Sequence, residues 1–243
     1  YEGFPNQAPD AHGYYGPAAA KQLRYLLKNV TRTPTGAISQ RASPKQVQLW
    51  SDSAYMGPPF LAYYGWVTQN QSLVQMAFDE LKLQRSALHR PQDPGRHLWR
   101  HIIEFPNNTK ATRAIDARVW LTGNGWAAAG MLRVAAIISH SPWADKMQAQ
   151  HDQLVQWADD IITAAYQFVD PGTGLLLNAI DDPSTFLDGS GSALLSYAVF
   201  RLASMDQGRK KHVDMAEKAY QTLSKSLNSL SQFTNGIQTV NEM

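Results

Sequence analysis

Asp52 is the residue around which chemistry is most readily drawn. It is a lone carboxylate in the stretch Leu49 to Tyr64, among Trp50, Tyr55, Phe60, Tyr63 and Tyr64. A carboxyl drawn out of water among rings favours its protonated form, the form a general acid needs. The same aspartate also reads as an N-cap, because the helix that follows begins near Gly57-Pro58-Pro59, where proline is tolerated only in a first turn. The stretch alone leaves both readings open.

Other residue types fit the same chemistry. Trp120 and Trp126 offer flat faces for stacking on sugar rings, although tryptophan also fills cores. His101 and Arg41 can bind polar or anionic groups, and Met56 sits four residues after Asp52. Asn124 lies between Gly123 and Gly125, where asparagine also makes good turns. Asp188 precedes a glycine and serine run and reads equally as a helix cap. The pair Asp181-Asp182 lacks further ligands at defined spacing, so no metal site is expected. Nothing in the sequence asks for a cofactor.

Elements must position these groups. Apolar residues recur at helical spacing over Ala18–Val30, from near Asp52 to Val67, and over Ser72–Leu88, Lys146–Phe168 and His212–Leu230. Ala127–Ile138 and the run after Gly191 to Leu202 are small and apolar nearly all round, which predicts burial. Residues 1–17 and the long polar segment His89–Ala117 read as irregular. A structureless segment of that length is usually functional. No segment alternates with period two, so the chain reads as all-α. Trp50–Val67, Trp120–Ile138 and Phe186–Leu202 read as one repeated unit, a loop feeding a buried helix, with starts about 70 residues apart. An amphipathic helix follows each. This predicts αα-hairpins in an inner and an outer layer. The loops before the inner helices then gather at one end, which brings Asp52, His101, Trp120 and Trp126 together.

Composition bounds the rest. The 243 residues suffice for one large domain, taken as residues 1–243, with 44% hydrophobic residues and a net charge of +2. Mean hydropathy is −0.36. No apolar run approaches the roughly 20 residues of a membrane span, and the basic residues are scattered, so neither a membrane nor a nucleic-acid partner is expected. There is no cysteine, which rules out disulfides and thiolate metal sites. Sequons at Asn29, Asn70 and Asn107, with an abrupt Tyr1 start, point to a processed, secreted protein.

Trp50, Asp52, Tyr55, Met56, Pro59, Phe60, Leu61 and Ala62 form a pattern that resembles the signature of glycoside hydrolase family 105, related to family 88. Leu98-Trp99-Arg100-His101 resembles that family's Leu-Trp-x-His loop. The stretch Trp120 to Trp126 resembles its Trp-x-Arg-x-x-Gly-Trp motif, and Ser190-Gly191-Ser192-Ala193 its Ser-Gly-x-Ala helix start. Together they span roughly residues 36 to 202. The resemblance implies an (α/α)6 toroid of six inner and six outer helices. It implies a metal-free hydrolase acting on a 4,5-unsaturated galacturonyl or glucuronyl residue at the non-reducing end of pectin-type oligosaccharides. By resemblance Asp52 protonates the vinyl ether and assists water, and Arg41, Met56, His101, Trp120, Asn124 and Trp126 bind the sugar. Thr122 stands where the motif has arginine, and only the basic half of the family's His-basic pair survives, at Arg41. The family's second aspartate is expected before Tyr1. Seven of the twelve helices are legible, so the toroid reads as truncated or incomplete. A non-catalytic carbohydrate-binding or scaffold protein on the same toroid is the alternative.

Overall fold

The computed structural model describes residues 15–90 and 97–225. Within them lie seven α-helices: α1 Tyr15–Lys28, α2 Gly57–Val67, α3 Gln71–Leu88, α4 Leu121–Ser139, α5 Gln148–Ala165, α6 Gly189–Met205 and α7, 213–225. The irregular reading of residues 1–14, the turn signals Pro91 and Pro94-Gly95, and the end of the last helix lie outside the described residues.

Hydrophobic pattern sorts the helices into the two expected layers. α4 buries Ala128, Met131, Leu132, Val134 and Ala135 around its circumference and packs between α2 and α6. α3 and α5 bury one stripe each. In α3 it is Leu73, Val74, Ala77, Leu81 and Leu88, a helical i, i+4, i+8 spacing, and this stripe seats the helix on α2. α5 seats on α4 in the same way through Leu154, Trp157, Ala158 and Ile161. α2, α4 and α6 are thus the inner row.

Two boundaries differ from the sequence reading. α1 is helical from the first described residue, Tyr15, so it takes in Pro17, ahead of the expected start at Ala18, and it ends at Lys28. α4 begins at Leu121, so the stretch Leu121 to Trp126 is its first turns and not a loop before it. Its glycines are required by close packing. A Cβ on Gly123 would run into the Ser51 hydroxyl, and one on Gly130 into the Ala54 carbonyl. α4 therefore lies directly on the chain that carries Asp52.

The sequence reading has no strand, and the structure adds short ones. β1 Gln48–Trp50, β2 Ile102–Glu104 and β3 Arg113–Asp116 make an antiparallel sheet in that order. Gln48 faces Glu104, Trp50 faces Ile102, and Ile102 faces Asp116, with an irregularity between Ile102 and Ile103. The polar segment before α4 is thus partly a β-meander that caps one end of the helical layers. A second pair, β4 Leu176–Leu177 and β5 Leu187–Asp188, leads into α6.

Candidate active site

The three-stranded sheet assembles the site. Asp52 lies just past the end of β1, His101 just before β2, and Asp116 at the end of β3. Backbone bonds weld them: the Ser51 N–H donates to the His101 carbonyl at 3.0 Å, and the His101 N–H donates to the Arg118 carbonyl at 3.0 Å.

Asp52 sits in a 3₁₀ turn, Ser51–Tyr55, and the N-cap of α2 is Met56, with no side-chain cap bond. The capping alternative for Asp52 is therefore wrong, because the 3₁₀ turn inserts a full turn between the carboxylate and the α-helix. Its Oδ2 atom is buried without a hydrogen-bond partner. The nearest ionisable atom is His101 Nε2 at 3.5 Å, too long for a full hydrogen bond.

His101 is walled by two rings. Trp120 lies 4.5 Å from it, centroid to centroid, and Trp50 meets it edge-on at 5.8 Å. Arg41 places its guanidinium over the far ring, 5.2 Å from the Trp50 centroid, close enough for a cation–π attraction. The His101 Nδ1 atom is 2.9 Å from Asp116 Oδ2. Asp116 in turn accepts from the Arg118 backbone N–H at 3.1 Å, from Nε at 3.0 Å and from Nη2 at 2.7 Å. Burial pushes the His101 imidazole down, but the bond to Asp116 and the charges of Asp52 and Asp116 outweigh it and hold it above its ordinary value. Arg118 holds the Asp116 carboxyl far below the usual carboxylate range, against the cost of burial.

The structure thus brings together Asp52, His101, Trp120 and Arg41, and adds Trp50. The other sequence candidates have surroundings of their own. Trp126 packs on Tyr55 at 4.7 Å, and Arg133 covers the Tyr55 ring at 4.7 Å. Six residues into a helix is about 9 Å of rise, which separates Trp126 from Trp120. Met56 is half exposed on the lip of a cavity of about 410 Å³ between α1, α2 and α3. Gln40 and Ser53, the sequence neighbours of Arg41 and Asp52, line the same cavity. The two spaces therefore share the 3₁₀ turn as a wall.

Asn124 corrects the expectation of a sugar contact. It is fully buried, its Oδ1 accepts from the Trp99 N–H at 2.8 Å, and its Nδ2 donates to the Trp99 and Trp120 carbonyls at 3.0 Å. It is a strap between α4 and the loop bearing His101, with no polar atom left for a ligand. Asp188 caps α6, accepting from the Gly191 N–H at 3.0 Å and from Ser190 at 2.8 Å. Asp182 is taken up by Ser184, and Asp181 pairs with Arg90 at 3.3 Å. Thr122 touches the Ser190 hydroxyl at 3.4 Å. Asp116 and Arg118 were missed. They stand in a polar stretch without periodicity, and only their bonds to His101 distinguish them.

Relatives share this architecture. An unsaturated rhamnogalacturonyl hydrolase, YesR, of Bacillus subtilis (strain 168) is 24% identical over 191 residues, covering 76% of this chain and 51% of that protein. A possible member of family GH105 from Salmonella enterica superposes with a TM-score of 0.75 at 21% identity, over 89% of this chain and 55% of that one. The unsaturated glucuronyl hydrolase of Bacillus sp. GL1 superposes at 0.55 with 18% identity, over 72% and 46%. The chain therefore spans about half the length of these relatives, and the fold it shares with them is the helical-hairpin toroid. The model of Glycosyl Hydrolase Family 88 matches residues 10–241, a range that holds every described helix and the sheet that gathers Asp52, His101 and Asp116, and on that match the chain belongs to this family.

Proposed function

We propose that this chain carries the acid–base group of a glycoside hydrolase acting on a 4,5-unsaturated uronic acid at the non-reducing end of a pectin-type oligosaccharide. The observation that carries the reading is the buried, unpartnered Oδ2 of Asp52, facing His101 Nε2 between Trp50 and Trp120. A buried polar atom without a partner asks for an explanation, and a reacting substrate supplies one. Family membership supports the reaction class.

In this reading the Asp52 proton passes to C4 of the vinyl ether. Water adds its oxygen at C5 and returns a proton to Asp52. The hemiketal so formed opens at the ring oxygen, and the glycosidic bond breaks as the aglycone leaves. One carboxyl serves as acid and then as base, unlike the two-carboxylate displacement of most glycosidases. Trp120 supplies a stacking face and Arg41 a cation for the sugar carboxylate. The sequon asparagines Asn29, Asn70 and Asn107 are all exposed, which supports a secreted protein. A carbohydrate-binding role without turnover is favoured by one observation, the neutral Thr122 in the motif's arginine position.

The test is turnover of lyase-generated unsaturated disaccharides, followed by loss of the ultraviolet absorbance of the double bond. Asp52→Asn is expected to abolish turnover while far- and near-ultraviolet circular dichroism stay unchanged. Retained activity in that variant sinks the assignment. Equal affinity for saturated and unsaturated uronides, with no turnover of either, favours the binding protein.

A further inference from the structure

The arrangement around His101 goes beyond a polar contact for a sugar. The imidazole is held from both sides by carboxylates on different elements, Asp52 on the 3₁₀ turn at 3.5 Å and Asp116 on β3 at 2.9 Å. Only one of these carboxylates is itself anchored. Asp116 receives three donors from Arg118, while Asp52 Oδ2 receives none. The side chains of His101 and Asp116 are each 16% exposed and that of Asp52 is 19% exposed, so the cluster is largely shielded from water. The remaining neighbours of the ring, Trp50 and Trp120, are uncharged, and the Arg41 cation lies over the Trp50 ring.

We propose that Asp116, anchored by Arg118, is a positioning residue that fixes His101 with its proton on Nδ1, so that Nε2 and Asp52 share a single proton. An ionised carboxylate can only accept, so Nδ1 must carry the hydrogen it donates to Asp116. Nε2 then presents either a lone pair to a protonated Asp52 or an N–H to an ionised one. Each state holds one proton between the two groups, which face each other across 3.5 Å. The inference rests on the hydrolase reading above for its consequence, namely that this shared proton is the one the acid step spends. Removing the Asp116 charge lowers the proton affinity of the pair and releases the ring to its other tautomer.

The experiment uses the full 243-residue chain, labelled with ¹⁵N. Long-range ¹H–¹⁵N spectra identify the His101 ring by its absence in His101→Gln. Wild type is expected to show the Nδ1–H tautomer wherever the ring is neutral. A neutral Nε2–H ring in wild type overturns the proposal without recourse to any variant. In Asp116→Asn the tautomer preference is expected to be lost and the titration midpoint of His101 to fall. On an unsaturated disaccharide, kcat of that variant is expected to fall by about tenfold or more, with KM nearly unchanged and the alkaline limb of the profile moved to lower pH. Asp116→Glu, which keeps the charge, is expected to restore the alkaline limb in part. An unchanged tautomer and midpoint in Asp116→Asn refute the positioning role. If wild type turns over no unsaturated uronide, the hydrolase reading fails, and the spectra still decide the role of Asp116.

Discussion

Replacing Asn124 by alanine tests the strap that ties the His101 loop to α4. Two backbone groups lose their partner, the Trp99 N–H and the Trp99 carbonyl, and Trp99 is fully buried. The Trp120 carbonyl keeps the Asn124 backbone N–H at 3.1 Å. An orphaned buried polar group costs about 1–3 kcal/mol, so two cost about 2–6 kcal/mol, and part of that is recovered because alanine no longer buries an amide. We expect a net loss of about 3 kcal/mol. In a chain of this size one kcal/mol moves the melting temperature by about 2–4 °C, which makes the expected drop about 6–12 °C. The assay is urea unfolding with an unchanged m-value, backed by a thermal melt. Asn124→Asp is the control: it can still accept from Trp99 but, when ionised, cannot donate to its carbonyl, and it buries a charge, so its loss should be at least as large. A loss below about 1 kcal/mol in Asn124→Ala refutes the strap, because that is the value of a single ordinary hydrogen bond.

Two further perturbations follow from packing and charge. Gly130→Ala drives a methyl group into the Ala54 carbonyl and should cost about 1–3 kcal/mol or more, read from urea midpoints, with an accompanying loss of turnover because Ala54 shares its turn with Asp52. His89 is pushed down to about 4, first by burial and then by Arg85 and His97, so below its unfolded value of 6.5 the unfolded chain takes up a proton that the folded chain refuses. Stability should therefore fall as pH drops from 6.5 towards about 4, and the difference in urea midpoint between about pH 7 and pH 5 should shrink in His89→Gln.

The helices were legible because burial writes itself into spacing. Leu73, Ala77 and Leu81 recur on one face of α3, and the near-continuous small apolar run of α4 allows only an interior position. The sheet was not legible, since its strands hold three or four residues and period-two alternation needs more. That gap matters for the site, because Asp52, His101 and Asp116 are neighbours only through β1, β2 and β3. Asp52, His101 and Trp120 could be drawn from motif resemblance and loop convergence. Asn124 could not be assigned, since an amide between glycines looks the same whether it binds a sugar or ties two backbones. Trp126 looked like a partner of Trp120 until the helix start moved back to Leu121, which set the two rings on different turns. Asp116 carries no signal in its own neighbourhood; its role lies in a bond to a residue 15 positions away.

The meander also bears on the order in which the molecule forms. α2 and α3 are joined by three residues, 68–70, and can zip together locally, whereas pairing Gln48 with Glu104 closes a loop of more than fifty residues. Long-range closure of this kind is slow relative to helix docking. The helical layers can therefore reach nearly full content before Asp52 and His101 meet, and a preparation trapped at that stage gives a native far-ultraviolet spectrum without a competent site. The near-ultraviolet signal of Trp50 and Trp120, which both pack against the His101 ring, is the one that separates arrested molecules from finished ones.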